Sequence, residues 1–163
     1  MTETWQERVD AVWADPSLSD DQRIASIDAL AAERPDDDAR ALYERAGARD
    51  SAGHEVEAEV LYRRAFAAGL DDFTRRRATI QLASTLRNLD RTPEALEMLR
   101  IEYHRPAGDG VDDAVAAFYA LVLASSGESL RAASIALETL APHLPAYTRS
   151  VRDYARALRG LED

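Results

Sequence analysis

The sequence predicts an all-α fold built from antiparallel helical hairpins, and three observations support this prediction. Alanine and leucine dominate the composition while valine and isoleucine are scarce, which favours helix over sheet. Apolar residues recur at helical spacing in one segment after another. Two series of alanines repeat at intervals of 37 residues, namely Ala46, Ala83 and Ala120, and Ala58, Ala95 and Ala132. We therefore expect about nine helices, stacked as hairpins in a right-handed superhelix.

Length, charge and composition limit the classes of function. The chain has 163 residues, no cysteine and a net charge of -10, so we expect a single domain over residues 1–163. Disulfides, thiolate metal sites and cysteine nucleophiles are excluded. Because nucleic acids and anionic membranes are polyanions, we expect neither as a partner. No apolar run reaches the roughly 20 residues of a membrane span, and the N-terminus lacks a secretory signal, so we expect a cytoplasmic protein.

Residues 1–35 are predicted to form an N-terminal helical hairpin. Trp5, Val9 and Trp13 lie at helical spacing, and the Asp15-Pro16 pair ends that helix. The segment 19–22 reads Ser-Asp-Asp-Gln, which is a capping box at the start of the second helix. The second helix is expected to end before Pro35.

Three repeated units follow, each read as helix, turn and helix. Gly53, Asp90 and Gly127 keep the 37-residue step and mark the turns, and Pro93 lies at the first position of a helix. In each unit the repeated alanines are expected where two helices cross closely, since a larger side chain there would separate them. The predicted units are residues 38–72, 73–108 and 111–144.

A C-terminal helix over residues 147–161 is predicted to cap the last unit, because a repeat stack leaves an apolar face at its end. Val151, Tyr154 and Leu158 are expected to cover that face. Their expected partner in the third unit is Ile135, Leu137 or Leu140.

Fixed small alanines, a glycine-type turn and a period in the thirties are typical of tetratricopeptide repeats, whose usual period is about 34 residues. Residues 46–53, reading AGARDSAG, and residues 78–89, reading ATIQLASTLRNL, are more specific. Over roughly residues 39–158 the chain resembles a family of small stand-alone bacterial tetratricopeptide proteins. The resemblance implies a protein–protein interaction function without enzymatic activity.

The residues themselves predict no catalytic, cofactor-binding or metal site, so the chain is not expected to be an enzyme and no cofactor is expected. His54, His104 and His143 are dispersed, and none has a second ligand at a suitable spacing on its own helix face. The glycines form no phosphate-binding loop, and the register brings no histidine base to Ser51 or Ser84. An enzyme remains the third alternative, which would require a deep pocket with perturbed ionisable groups.

The leading hypothesis is a module that binds a peptide or protein in the concave groove formed by the first helices of the units. An extended, carboxylate-bearing peptide is the expected ligand, because arginine pairs with carboxylates through two bonds. The second hypothesis is a homodimer formed through the apolar third unit or the terminal helix. The groove residues predicted from the repeat register are Arg40, Tyr43, Asp50, Arg77, Gln81, Ser84, Arg87, Asn88, Phe118 and Leu121.

Three further features carry open expectations. Asp50 and Arg87 occupy equivalent repeat positions, and an ion pair between them would leave Arg77 as the freer donor. Gly47 lies within a helix, where glycine costs up to about 1 kcal/mol relative to alanine, so either a neighbouring backbone or a ligand is expected to approach it. The run of three arginines at 75–77 is either a solvated first turn that pairs with nearby acids, or a basic lip on an acidic protein.

Overall fold

The structure is a computed structural model, and it describes the backbone of residues 3–161. Within that range the regular secondary structure is entirely helical, with nine α-helices and two short 3₁₀ turns at Ala141–His143 and Arg159–Leu161. The prediction of an all-α fold with about nine helices is confirmed. The α-helices are α1 (Trp5–Ala14), α2 (Asp20–Ala31), α3 (Ala39–Ser51), α4 (Glu55–Ala68), α5 (Asp72–Asn88), α6 (Thr92–Tyr103), α7 (Asp112–Ser125), α8 (Ser129–Leu140) and α9 (Thr148–Leu158).

The chain divides into two compact units, and each is described by itself. Unit 1 is Met1–Thr85 and unit 2 is Leu86–Asp163, so the boundary falls within the last turn of α5. None of the helices in the described range is long and apolar enough to cross a membrane.

In unit 1, α1 and α2 form the N-terminal hairpin with well-defined starts. The predicted capping box at Ser19 and Gln22 is present, and Thr4 and Glu7 form a second one at the start of α1. The side chains that join the two helices are Val9 and Ile27, which are almost completely buried. Val9 and Ile27 belong to one buried hydrophobic cluster, which packs α1 against α2.

The second hairpin of unit 1, α3 with α4, is closely packed at alanine positions. Ala46 and Ala58 are fully buried, as the repeat register predicts for close crossings. Gly53 joins the two helices with a φ of +76°, a conformation that L side chains rarely adopt. Ala83 on α5 is also fully buried, so its predicted position is confirmed.

A charged cluster ties α2 to α3 in unit 1. Asp28 accepts a hydrogen bond from Arg45 Nε at 2.8 Å, and Arg49 Nη1 and Nη2 donate to its two carboxylate oxygens at 3.1 and 2.8 Å. Burial acts against ionisation of this carboxyl, but the two guanidinium groups outweigh it and lower the pKa of Asp28 below its ordinary value. The cluster fixes the N-terminal hairpin against the first repeat.

Unit 2 repeats the alanine packing in α6, α7 and α8. Ala95, Ala120 and Ala132 are all buried. The turn between α7 and α8 uses Gly127 with a φ of +93°, and the loop before α6 holds Asp90 at +59°, which is uncommon for a residue other than glycine. The sequence positions predicted as turns therefore have the left-handed backbone that such turns require.

Helix α9 packs against α8, but not entirely through the predicted residues. Val151 and Leu158 are half-buried, whereas Tyr154 is 75% exposed, so its assignment to the buried face is wrong. Ala155, one position along and 100° around the helix, is fully buried instead. A small residue there lets α9 lie close to α8, and the adjacent bulky tyrosine turns outward.

The three alternatives predicted on α8 as partners of α9 differ in burial. Ile135 is buried and Leu137 is half-buried, but Leu140 is 48% exposed. Polar contacts complete the interface, with Arg159 Nε donating to the buried Ser134 hydroxyl at 3.0 Å and Arg159 Nη2 to Glu138 at 2.6 Å.

Candidate functional site

A pocket of about 490 Å³ opens on unit 1 between α1, α3 and α5. A volume of this size lies within the range of sites that hold small ligands or single side chains. Residues of all three helices line it, and each belongs to unit 1. The lining residues are Asp10, Trp13, Ala14, Arg40, Tyr43, Glu44, Gly47, Arg77 and Gln81. We refer to this set as the α1–α3–α5 pocket.

Four of the ten predicted groove residues meet in this pocket. Arg40 and Tyr43 come from α3, and Arg77 and Gln81 come from the first half of α5. The spacing of Arg77 and Gln81 places them one helical turn apart on the same face of α5. These four residues, which the repeat register places in one groove, therefore line one pocket in the structure.

Arg40 is held within the pocket wall by polar partners. Its Nε lies 3.0 Å from Glu44 Oε1, and its Nη1 donates to the Thr74 hydroxyl at 2.7 Å. The other Glu44 oxygen accepts a hydrogen bond from the Trp13 indole at 2.8 Å. Glu44 is buried, so its charge is balanced by Arg40 rather than by water. The guanidinium of Arg40 is therefore already engaged by Glu44 and Thr74, and its main role is to hold the side chains of the pocket wall in place.

Arg77 has a different environment. Its guanidinium carbon lies 6.0 Å from the ring centre of Tyr43 and 5.9 Å from that of Phe73, so two aromatic rings hold the cation. Within the part of the chain that the structure describes, Arg77 has no carboxylate partner. The pocket therefore contains an arginine that aromatic contacts orient while its hydrogen-bond donors stay available.

The floor of the pocket combines a buried ring with an unsatisfied acceptor. Tyr43 is buried, and burial raises the pKa of its hydroxyl although the charge of Arg77 acts in the opposite direction. Gln81 Oε1 is a buried atom without a hydrogen-bond partner among the described residues. A buried acceptor left unpaired costs about 1–3 kcal/mol, so a donor that reached this oxygen would be favoured.

Gly47 lies on the wall of the pocket, beneath the Trp13 ring. A Cβ atom built at Gly47 would lie 3.4 Å from Trp13 Cζ2 and 3.9 Å from the Tyr62 hydroxyl, which are ordinary van der Waals distances. The group that approaches this glycine is the Trp13 side chain, so the expectation of a neighbouring backbone is wrong. The contact leaves room for a methyl group, however, so packing by Trp13 does not by itself require glycine here.

Asp50 lies outside the pocket and joins three helices of unit 1. Its oxygens accept hydrogen bonds from the Thr85 hydroxyl at 2.9 Å and from the Tyr62 hydroxyl at 3.3 Å. Burial raises the pKa of Asp50 above its ordinary value, and these two hydrogen bonds oppose the rise only in part. The ion pair expected with Arg87 concerns residues of different units and stays a prediction.

The remaining groove residues are placed as follows. Ser84 is half-buried on α5 in unit 1. In unit 2, Arg87 is half-buried at the end of α5 and donates to Asn88 Oδ1 at 3.4 Å, while Phe118 is half-buried and Leu121 is 47% exposed on α7. Their membership of one groove with the α1–α3–α5 pocket stays a prediction.

The three consecutive arginines at the start of α5 do not share one environment. Arg75 lies 3.5 Å from Asp72, as expected for a first turn that pairs with nearby acids. Arg76 is buried, so the expectation of a solvated run is wrong at that position. Successive helical residues point about 100° apart, and therefore one member of such a run faces the interior.

Sequence reasoning missed the contribution of α1. Asp10, Trp13 and Ala14 line the pocket, yet the repeat register covers only the units that follow residue 38. Trp13 was read as part of an apolar stripe, although it is 36% exposed. The sequence feature that could have placed Trp13 here is Gly47, because a glycine within a helix indicates that another group approaches that face of α3.

The described residues contain no group of three or more side chains suited to hold a metal ion. The histidines are all exposed: His104 contacts the Arg100 carbonyl at 2.8 Å, and His143 Nε2 lies 3.0 Å from Asp113. These contacts connect helix ends and place no histidine in the pocket.

Comparison with known proteins identifies the repeat. A family profile described as tetratrico peptide repeat matches residues 39–158, which is most of the chain and includes α3 to α9. No curated protein and no solved structure matches the chain. The family match agrees with the helical hairpins, the buried alanines and the glycine turns described above. The chain therefore belongs to the tetratricopeptide repeat family.

Proposed function

We propose that this protein is a non-catalytic interaction module that binds a peptide or protein segment across α3 and α5. The proposal rests on one observation above all, which is the convergence of Arg40, Tyr43, Arg77 and Gln81 on the α1–α3–α5 pocket. Tetratricopeptide repeats are protein-interaction modules, so membership of the family supports the same function.

The chemistry of the pocket favours binding over catalysis. Its buried acid, Glu44, has one oxygen beside Arg40 and the other bonded to the Trp13 indole, so both oxygens serve structural contacts. The lining contains no serine, threonine or histidine to act as a nucleophile or base. What the pocket offers is aromatic surface, one arginine held by two rings, and one unpaired acceptor.

A carboxylate-bearing segment is the proposed partner. Arg77 supplies a cation that the described residues leave without a carboxylate, and Arg87 is the second proposed donor further along α5. Because the protein as a whole carries a charge of -10, a diffusely acidic partner would be repelled at long range. We therefore propose a partner with one or two acidic residues in an otherwise neutral or apolar segment.

A displayed peptide library selected against the full chain tests this function. Selected peptides should shift the backbone amide resonances of α3 and α5 in the ¹⁵N-labelled protein, and their binding should weaken as salt concentration rises. The double variant Arg77→Ala, Arg87→Ala should bind them more weakly while keeping its helical circular dichroism. The double variant Arg100→Ala, Arg105→Ala removes the same two charges at exposed positions outside the pocket and is the matched control. Peptide-induced shifts confined to α4 and α6 would refute the proposal.

A homodimer is the second candidate, supported by the outer face of α7. Leu121 is 47% exposed, and Ala114, Ala117 and Ala124 are exposed beside it on a helix with few charges. An apolar face of this kind is typical of an interaction surface. Light scattering of the full chain and of Leu121→Arg distinguishes the two candidates, because only a dimer formed through α7 would dissociate in the variant.

A further inference from the structure

We infer that the α1–α3–α5 pocket recognises a single acidic residue of the bound segment, through its side-chain carboxylate and its own backbone N–H together. This inference rests on the proposed function and names the chemical group that the pocket takes. It depends on three features of unit 1: the cation of Arg77, the acceptor of Gln81, and the exposed part of the Trp13 ring.

The carboxylate position is at Arg77. The rings of Tyr43 and Phe73 lie about equally far from its guanidinium, at 6.0 and 5.9 Å, so the cation is oriented before a ligand arrives. Preorganisation lowers the entropy lost on binding, and a planar guanidinium binds a carboxylate through two parallel hydrogen bonds. Arg40, the other cation of the pocket, is already engaged by Glu44 and Thr74.

The N–H position is at Gln81. Its Oε1 is unpaired, and the side chain as a whole is only half-buried. Gln81 lines the pocket and the terminal torsion of glutamine is broad, so we expect its amide group to rotate and present this oxygen to the ligand. Arg77 and Gln81 lie four residues apart, which places their Cβ atoms about 5–6 Å apart on one helix face. A carboxylate and the amide N–H of the same acidic residue can therefore reach both side chains at once.

The remaining surface suits the aliphatic part and backbone of such a residue. The Trp13 ring covers one side of the pocket, and its indole is fixed by the hydrogen bond to Glu44 at 2.8 Å. Opposite the ring, Gly47 has no side chain, although a Cβ there would meet Trp13 only at 3.4 Å. The Trp13 ring is 36% exposed, so its accessible part offers apolar surface to the aliphatic part of the ligand.

The experiment uses small probes with the ¹⁵N-labelled full chain. N-acetyl-glutamate N-methylamide carries the acidic side chain and the N–H. N-acetyl-glutamine N-methylamide lacks the charge, propionate lacks the N–H, and N-acetyl-alanine carries its carboxylate at a chain terminus. The readouts are the Trp13 indole resonance, assigned with Trp13→Phe, and the Gln81 side-chain amide resonances.

The glutamate probe should shift both resonances and bind at least about tenfold more tightly than the glutamine probe and than propionate. Arg77→Ala should weaken it about tenfold, the expected loss for one charge-assisted pair worth about 1.4 kcal/mol. Gln81→Met should reduce the affinity for the glutamate probe to that of propionate, and Arg100→Ala should leave it unchanged.

Three outcomes would overturn the inference. Equal binding of propionate would remove the role of the N–H, and tighter binding of N-acetyl-alanine would assign the pocket to a chain terminus. Absence of shifts at Trp13 and Gln81, while selected peptides still bind α3 and α5, would reject the acidic-residue pocket and leave the proposed function standing.

Discussion

The Thr85 hydroxyl donates a hydrogen bond of 2.9 Å to the Asp50 carboxylate, which lies 35 residues earlier in the chain. Asp50 also accepts from Tyr62, so one partly buried acid links α3, α4 and α5 within unit 1. Because burial raises its pKa, the folded chain binds the proton of Asp50 more tightly than the unfolded chain does.

The first prediction follows from the raised pKa of Asp50. An acid with a raised pKa destabilises the folded state increasingly as pH rises from its ordinary pKa, near 3.8, through its folded value. Asp50→Asn removes this effect and keeps an amide that can bond both hydroxyls. We expect the stability of Asp50→Asn relative to the natural chain to increase between about pH 4 and pH 7, measured by urea unfolding.

Two comparisons make this test specific. Asp37→Asn removes the same formal charge at an exposed position and should not reproduce the pH-dependent gain. Asp50→Ala leaves the Tyr62 hydroxyl without its partner, while the Thr85 hydroxyl keeps the Gln81 carbonyl at 2.9 Å, and should destabilise by about 1–3 kcal/mol. A gain for Asp50→Asn that shrinks as pH rises would contradict the assigned direction of the pKa shift.

The second prediction concerns Gly47. Gly47→Ala should stabilise the protein by about 0.5–1 kcal/mol, since alanine is the better helix former and its methyl group would meet Trp13 at an ordinary contact distance. The same substitution at Gly53 places a side chain at a φ of +76° and should destabilise. Urea unfolding of both variants provides the measurement. Equal destabilisation by the two would mean that Trp13 packs too closely for any methyl group.

The third prediction concerns the close crossing at Ala83. This residue is fully buried, so Ala83→Leu should overpack the interior of unit 1 and cost about 1–3 kcal/mol. Ala67→Leu on α4 is an exposed counterpart that should change stability by less than about 0.5 kcal/mol. Thermal melts followed by circular dichroism measure both. Equal melting temperatures for Ala83→Leu and the natural chain would refute the crossing.

The fourth prediction concerns Tyr154 and Ala155, two adjacent residues of α9 with opposite exposure. Tyr154→Ala should leave the stability nearly unchanged because the side chain is largely exposed, whereas Ala155→Leu should force α9 away from α8. We expect the second change alone to lower the melting temperature and expose apolar surface to a fluorescent dye. Destabilisation by Tyr154→Ala and tolerance of Ala155→Leu would restore the original assignment.

The helices and the alanine crossings could be predicted from the sequence because a repeated spacing reports a repeated environment. Ala46, Ala83 and Ala120 share a step of 37 residues, and all three are buried. Capping residues such as Ser19 act through local hydrogen bonds, and that start was also predicted correctly. The alanine crossings follow a sequence period and the Ser19 cap depends on a local hydrogen bond, so the sequence contains both signals.

The rest depended on contacts that no period encodes. Trp13 reaches Glu44 across 31 residues from a hairpin that lies before the family match, so the register could not place it in the pocket. On α9 the apolar stripe includes both Tyr154 and Ala155, and hydrophobicity alone favours the tyrosine. The close approach of α8 to α9 leaves room only for a small side chain, so the alanine faces α8 and the tyrosine faces outward.

The last prediction uses Asp28, whose pH dependence should have the opposite sign to that of Asp50. Arg49 and Arg45 lower the pKa of Asp28 against the effect of burial, so its ionised form stabilises the folded state. That stabilisation is present above the ordinary pKa of 3.8 and is lost as pH falls through the lower folded value.

Asp28→Asn should therefore destabilise at pH 7 by on the order of 1 kcal/mol, a modest figure because the side chain is about one-third exposed. The deficit relative to the natural chain should begin to shrink below about pH 4 and disappear only below the lowered pKa, where Asp28 is neutral in the folded chain as well. High salt should also reduce the deficit at pH 7, and Asp37→Asn again supplies the charge-matched comparison. Urea unfolding over this pH range measures the difference. A deficit that stays constant down to pH 3 would show that Asp28 acts through packing rather than through its charge.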